Sequence, residues 1–396
     1  MVGRRNFLKI SAAGAAGAFF SVPAWGKAKT DSQNEPVIIR RKLGNTGLEL
    51  PVVSMGVMRA DNIALVKGAM DYGIRHFDTA HGYQGGKNET MLGEFFKGYP
   101  RDAFTLATKI PLDDVARNAG EIGPGATKEA IFAKMDISLQ RLQMDYVDIL
   151  YLHGVSHRNV ALYPEFLEAL RTLKEQGKIR FAGVSTHQNE PEVIEALTED
   201  PVYDVVLTAY NFNQGHREKV KEKIAMAAGK GLGIIAMKTM AGGFLDRERS
   251  RPVNCRAALK WVLQDPNVHT TIPGITAFDQ LTENIGVMED LEMTEEEKQF
   301  IEEAGLQAGL YCDQCGRCVT ECRKHLPVNE IMRAYMYAYG YRQTEDALAV
   351  LAEHRINNEA CTGCEACSVK CHKGFDVAGR IADISRLAGV PKDFLV

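Results

Sequence analysis

Two groups of residues have the types and spacing to do chemistry. Near the C-terminal end, Cys312, Cys315, Cys318 and Cys322 read C-x₂-C-x₂-C-x₃-C, and Cys361, Cys364, Cys367 and Cys371 repeat that spacing. Eight of the nine cysteines fall in these two runs. Such clustering is a ligand pattern, not the spread of a disulfide framework. Three close thiolates can wrap one corner of an iron–sulfur cubane while the fourth points elsewhere. Zinc sites usually present two separated C-x₂-C pairs instead. The second group is Asp78, Tyr83, Lys109 and His153. A phenol with an ordinary pKa of ~10 is a poor acid at neutral pH, and a nearby ammonium favours its anion. An aspartate beside the lysine would hold it charged and placed. A histidine can donate to a carbonyl oxygen and orient it. The four together suit protonation of that oxygen as hydride arrives at carbon.

These four must be brought together by the fold. Short β-rich runs occur at Val52–Val57, His76–Ala80, Phe104–Ile110, Val147–His153, Arg180–Ser185, Val205–Tyr210, Gly233–Met237 and Thr270–Pro273. Between them lie amphipathic helical stretches such as Ile131, Met135, Leu139 and Leu142, one face of a helix. Eight such units predict an α/β protein with a (β/α)₈ TIM barrel over residues 37–304. The four polar residues then fall at or just past the C-terminal ends of consecutive strands, the face that carries chemistry in this fold. A doubly wound sheet would need a Gly-rich turn after its first strand. Met58-Arg59-Ala60-Asp61 stands there instead. Arg41 to Leu48 reads as a hairpin that plugs the bottom of the barrel. Thr294 to Glu297 reads as a capping box opening a linker helix. Residues 305–396 then form a mainly helical iron–sulfur domain. Its Met and Tyr stripe (Met332, Tyr335, Met336, Tyr339) is expected to pack on the barrel, and Cys255 to be a buried core thiol.

From about Arg40 to Glu289 the chain resembles the aldo-keto reductase family. The matches include Arg41-Lys42-Leu43-Gly44-Asn45-Thr46-Gly47-Leu48, the run from Ser138 to Asp148, Gly183-Val184-Ser185 and Ile272-Pro273-Gly274. The resemblance implies an oxidoreductase interconverting a small carbonyl and an alcohol, with Asp78, Tyr83, Lys109 and His153 as catalytic tetrad and Tyr83 as proton donor. It also implies a nicotinamide cofactor, NADH or NADPH. The positions that would contact it are Ser185, Thr186, Tyr210, Met237, Lys238, Gly242, Gly243 and Asn284. The Lys and Arg that clamp the 2′-phosphate of NADPH in many members read here as Gly274 and Gln280. The usual NADPH preference should therefore be weakened. The cysteine spacing resembles two-cluster bacterial ferredoxins, in which the fourth Cys of each run serves the other cluster. That implies one [4Fe–4S] cluster on Cys312, Cys315, Cys318 and Cys371. The second takes Cys361, Cys364, Cys367 and Cys322. The Pro that often follows the fourth Cys is replaced by Arg323 and His372.

The N-terminal residues read as an address. Arg4 and Arg5, followed by Phe7-Leu8-Lys9 and an uncharged stretch to Gly26, resemble a twin-arginine signal over 1–28. A polar linker over 29–36 follows. The resemblance implies export as a folded protein by the twin-arginine machinery, to the periplasm. A net charge of −4, with 47 basic against 51 acidic residues well mixed, offers no surplus to neutralise nucleic-acid phosphates. The remaining partners expected are a small carbonyl or alcohol and a redox partner protein. Two other readings compete. In one the protein transfers electrons and the barrel is a docking or metabolite-binding scaffold. In the other the barrel binds a metabolite without redox chemistry and the clusters are structural.

Overall fold

The computed structural model describes residues 38–307, 309–364 and 366–391. The signal and linker expected over 1–36 lie outside the described residues. Eight parallel strands run in chain order around one sheet: Met55–Gly56, His76–Asp78, Thr105–Pro111, Val147–His153, Ile179–Thr186, Val205–Ala209, Gly233–Met237 and Thr270–Thr271. They are barrel strands one to eight below. Parallel bridges Val53↔Thr271 and Gly56↔Gly274 bring strand one against strand eight and close the barrel. All eight expected strands are present. Strands one and eight are shorter than expected because single bridges, not a continuous ladder, carry the closure.

Period-two alternation sorts the side chains. Ala107, Ile149, Tyr151, Val205, Leu207 and Ile235 fill the lumen. Their neighbours, such as Leu106, Leu150, Val206 and Ile234, pack against the surrounding helices. Arg40–Lys42 pairs antiparallel with Glu49–Pro51, and the turn between them inserts Leu43 into the lumen cluster. Asn45 N–H donates to Gly231 O at 2.8 Å, just before strand seven begins. The hairpin therefore seals the N-terminal end, as the sequence suggested. Gly44 is required there: a Cβ would stand 2.4 Å from Gly231 O, and its φ is +50°. A second hairpin, Val115–Ala116 with Glu121–Ile122, interrupts the path from strand three to helix Lys128–Leu142.

The capping box is present, with Thr294 and Glu297 reciprocally hydrogen-bonded at the start of helix Glu295–Gly305. The C-terminal segment follows as short helices: Arg317–Glu321, Val328–Tyr335, Thr344–Glu353 and Val377–Ser385. Val328, Ile331, Tyr335, Leu351, Ile381 and Ile384 form their own core. A further cluster of Phe212, Ala241, Ala258, Ala304, Tyr311 and Met336 joins this segment to the barrel. After Tyr335 the helix widens over Met336–Gly340 into a π-turn, with Tyr341 N–H donating to Met336 O. That extra residue per turn aims Tyr337 back toward the barrel mouth, where Lys238 Nζ lies 5.8 Å from its ring centre. Among the described residues no helix is long and apolar enough to cross a membrane.

Candidate active site and cluster-binding region

Strand two ends at Asp78, strand three contains Lys109 and strand four ends at His153. Adjacent ladder positions fix their backbones, since Asp78 pairs with Ala107 and Lys109 with Tyr151. Past strand two the chain keeps bonding to strand three: Thr79 N–H reaches Ala107 O at 2.9 Å and His81 N–H reaches Lys109 O at 3.0 Å. Thr79 Oγ1 donates to Asn88 Oδ1 at 2.6 Å, and Asn88 Nδ2 donates to Val57 O at 2.7 Å. This stitched segment delivers Tyr83. Gly86 lets it pass under Arg141, because a Cβ there would meet the guanidinium carbon at 2.3 Å.

Lys109 Nζ is buried, pairs with Asp78 and donates to Thr79 O at 2.7 Å. It lies 4.9 Å from the Tyr83 ring centre. The Tyr83 and His153 rings stand edge to face with centres 6.1 Å apart. Burial raises the Asp78 carboxyl and lowers the Lys109 ammonium, each opposed by the other's charge. Burial, then the charge of Asp78, holds the Tyr83 phenol well above its ordinary range. The expectation that Lys109 makes this phenol acidic is corrected: the ammonium spends its hydrogen bonds on Asp78 and Thr79 and faces the ring. Burial and Asp78 favour the protonated phenol. Burial, then Lys109 and Arg117, pushes the His153 imidazole well below its ordinary range, so it is neutral.

The positions expected to contact a nucleotide are divided. Ser185 is the last but one residue of strand five, and its Oγ accepts the Gly154 N–H at 3.0 Å. Thr186 Oγ1 is spent on Gln188 O at 3.0 Å. Beside them, His187 Nδ1 and Gln188 Oε1 are buried without a hydrogen-bond partner. Met237 packs on the lumen cluster at the end of strand seven. The loop after it carries Lys238, Gly242 and Gly243 and abuts the C-terminal segment. A Cβ on Gly242 would stand 3.4 Å from Leu310 and one on Gly340 2.6 Å from Gly242 O. Tyr210 turns away from the lumen, with its ring centre 5.1 Å from that of Trp261. Strand parity explains this, since Leu207 points inward and position 210 has the opposite parity. Asn284 is buried on helix Phe278–Glu289, and its Oδ1 accepts from Cys255 Sγ at 2.9 Å. Burial pushes that thiol up to about 12.

The remaining cysteines separate by proximity. Cys315 and Cys318 both feel the charge of Cys371, and Cys318 that of Cys315, whereas Cys361 feels Cys367, Cys364 and Cys322. The first set lines a small cavity with His372 and Lys373. His372 shares a hydrogen bond with Asp313 at 2.9 Å, and Asp313 also accepts the Gly215 N–H of the barrel at 3.1 Å. Cys318 thus neighbours Cys371 of the other run and Cys361 neighbours Cys322, the association that crossed ligand sets require.

Sequence reasoning missed Arg117, His187, Arg333 and Tyr337, each near His153 or Lys238. Arg117 and His187 follow strands three and five, so the barrel-face rule could have found them. Arg333 and Tyr337 come from the C-terminal segment, and no local pattern points them at the barrel.

Residues 47–256 match the Aldo/keto reductase family. The chain belongs to the aldo/keto reductase family, as an oxidoreductase with an attached iron–sulfur segment. Residues 311–375 match the 4Fe-4S dicluster domain. The L-galactose dehydrogenase of Arabidopsis thaliana is 27% identical over 64% of this chain and 88% of its own. The L-glyceraldehyde 3-phosphate reductase of Escherichia coli O157:H7 is 26% identical over 66% of this chain and 91% of its own. A solved aldo-keto reductase from Bacillus halodurans, in its holo form, is 26% identical with a TM-score of 0.55. The match covers 68% of this chain and 96% of that one.

Proposed function

We infer that the protein interconverts a small carbonyl compound and its alcohol at the tetrad, with Tyr83 as proton donor, coupled to two [4Fe–4S] clusters. The observation that carries this is the convergence of Tyr83, Lys109 and His153 on one point of the barrel mouth. The donor is a neutral phenol and the orienting group a neutral imidazole. Neither has to change protonation before the reaction starts. His153 holds the carbonyl oxygen by hydrogen bonding, and Tyr83 gives its proton to that oxygen as negative charge develops there. The buried Asp78–Lys109 pair places a positive end beside the ring that must lose the proton.

A bound nicotinamide nucleotide would supply the hydride, and bound clusters would pass single electrons. Ser185, with the unpartnered His187 Nδ1 and Gln188 Oε1, offers polar atoms suited to a carboxamide. Lys238 offers a cation for phosphate. Cys312, Cys315, Cys318 and Cys371 would hold one cluster, and Cys361, Cys364, Cys367 and Cys322 the other. A carbonyl–alcohol couple exchanges two electrons, and two one-electron clusters match that number. Leu310 and Tyr311 lie against the Gly242 loop and lead directly into Cys312, so the two cofactor regions adjoin in space.

The reading is tested by Tyr83→Phe. Turnover of small aldehydes should fall by roughly 10²- to 10⁴-fold with the visible cluster absorbance unchanged. Turnover within a few-fold of the parent protein would refute the proton-donor assignment. The twin arginines Arg4 and Arg5 support export in folded, cofactor-loaded form. Their joint replacement by lysine should hold the protein in the cytoplasm, and undiminished export would remove that part of the reading.

A further inference from the structure

We propose that Arg117 anchors an anionic group of the substrate, a carboxylate or a phosphate, in the cavity beside His153. This rests on the carbonyl chemistry proposed above and names its substrate class. The cavity is about 440 Å³. Arg117, Asn118, His153, Gly154 and Ser156 line it from the barrel, and Glu353 and His354 from the C-terminal segment. Arg117 sits in the turn of the hairpin inserted after strand three. Its guanidinium lies flat on the backbone that follows His153: a Cβ on Gly154 would stand 2.9 Å from Nη2, 3.0 Å from Cζ and 3.1 Å from Nε. Glycine at 154 (φ +72°) is what admits this approach.

The cation count decides the ligand's charge. The neighbouring buried cations have partners: Lys109 pairs with Asp78, and Arg333 with Glu330. Among the described residues Arg117 and Lys238 have no ion-pair partner, although both are half-buried. Glu330, already paired with Arg333, and Glu353, which faces the same cavity, both attract Arg117 but stand outside ion-pair distance of it. A partly desolvated cation with no direct ion pair is costly, and a ligand that brings the negative charge reduces that cost. The planar fork of Arg117 matches a carboxylate or phosphate through two parallel hydrogen bonds. Because it rests on the residue next to His153, the anionic group must lie within a few carbons of the carbonyl that His153 orients. Small aldehyde acids, oxo acids and phosphorylated aldehydes have this form. Lys238 adds to the potential from just past strand seven, while of these four cations only Arg117 lines the cavity with His153.

The experiment compares the holoprotein with Arg117→Met and Arg117→Lys on butanal, succinic semialdehyde and glyceraldehyde 3-phosphate. The parent protein should prefer one or both charged aldehydes. In Arg117→Met the ratio of kcat/KM for the charged aldehyde to that for butanal should fall roughly 10- to 100-fold, and Arg117→Lys should recover part of it. Calorimetric titration with succinate and with inorganic phosphate gives a readout without turnover. At least one should bind the parent protein and not Arg117→Met, and which one binds separates carboxylate from phosphate. An unchanged ratio, or parent protein that binds neither anion, overturns the proposal. So does a loss in Arg117→Met of NADH or NADPH binding in place of anion binding, since the cation would then serve the nucleotide. Anion binding without turnover of any carbonyl supports the anion site and breaks the functional reading on which it was built.

Discussion

On one side of the barrel mouth, strands two, three and four carry Asp78, Lys109 and His153 inside a continuous parallel ladder. On the other, strands five to eight end in loops, and the loop that holds Lys238, Gly242 and Gly243 leans on Leu310, Tyr311 and Gly340 of the C-terminal segment. In the first half the backbone hydrogen bonds that make the strand also aim the tetrad side chain. In the second half tertiary contacts do the aiming. The charges differ as well. The tetrad neutralises its own cation, Lys109 with Asp78. Lys238 on the second side, like Arg117 in the hairpin after strand three, has no ion-pair partner among the described residues. The tetrad is complete in charge, and the cations around it wait for charge from outside.

The comparison can be broken first at the cysteines, where the expected effect is largest. If the two runs are crossed, the double variant Cys312→Ser with Cys371→Ser damages one cluster and keeps about half the iron and visible absorbance. Cys312→Ser with Cys322→Ser damages both. Ligand sets confined to each run predict the reverse, so iron content and absorbance of the two variants decide it. The next largest effect lies at the paired lysine. Lys109→Met leaves Asp78 buried and uncompensated and should cost about 3–5 kcal/mol in denaturant unfolding. Lys238→Met removes a cation with no partner and should cost less than about 1 kcal/mol. Similar losses for the two would erase the distinction between the halves.

The paired half was the legible half. Asp78, Lys109 and His153 sit at strand ends that hydrophobic runs mark, and Tyr83 follows five residues after Asp78. The bottom plug was legible for the same reason: Leu43-Gly44-Asn45 is local turn chemistry. Tyr210 illustrates what was not. Counting along strand six reaches the mouth, but parity turns that ring to Trp261 on the outside. Asn284 was placed by likeness, and its carboxamide is engaged by Cys255, a contact between two helices that no single-strand or single-helix pattern contains. Arg117 lies in a hairpin of two-residue strands, too short to leave a periodic signal. The acidity of Tyr83 was misjudged because the hydrogen bonds of Lys109 to Asp78 and Thr79 depend on three-dimensional placement.

Two smaller effects sharpen the comparison. His153 and His187 are held neutral by burial and by the surrounding cations, so their folded pKa values lie below the unfolded value of ~6.5. Below that pH the unfolded chain binds protons that the folded one refuses. Stability should be full above about pH 7 and fall as pH drops through ~6.5. Melting temperature measured from pH 8 to pH 5 checks this, and His187→Asn should flatten the slope. The turnover profile should show no alkaline decline near pH 10, because Tyr83 stays protonated there. The smallest effect is the choice of nucleotide. Gln280 is occupied as an acceptor for the Thr276 N–H at 2.8 Å, and position 274 is a glycine. With no cation at either position, the dissociation constants of NADPH and NADH should agree within about tenfold.

The central claim, hydride transfer to a carbonyl carbon at this mouth, is tested most directly by following the hydrogen. The holoprotein reduces an aldehyde with NADH or NADPH carrying deuterium at the transferable C4 position, and the alcohol is weighed by mass spectrometry. The account predicts an alcohol heavier by one deuterium, located on the former carbonyl carbon. Alcohol formed without the label would contradict it, because the electrons would then have reached the carbonyl by another route.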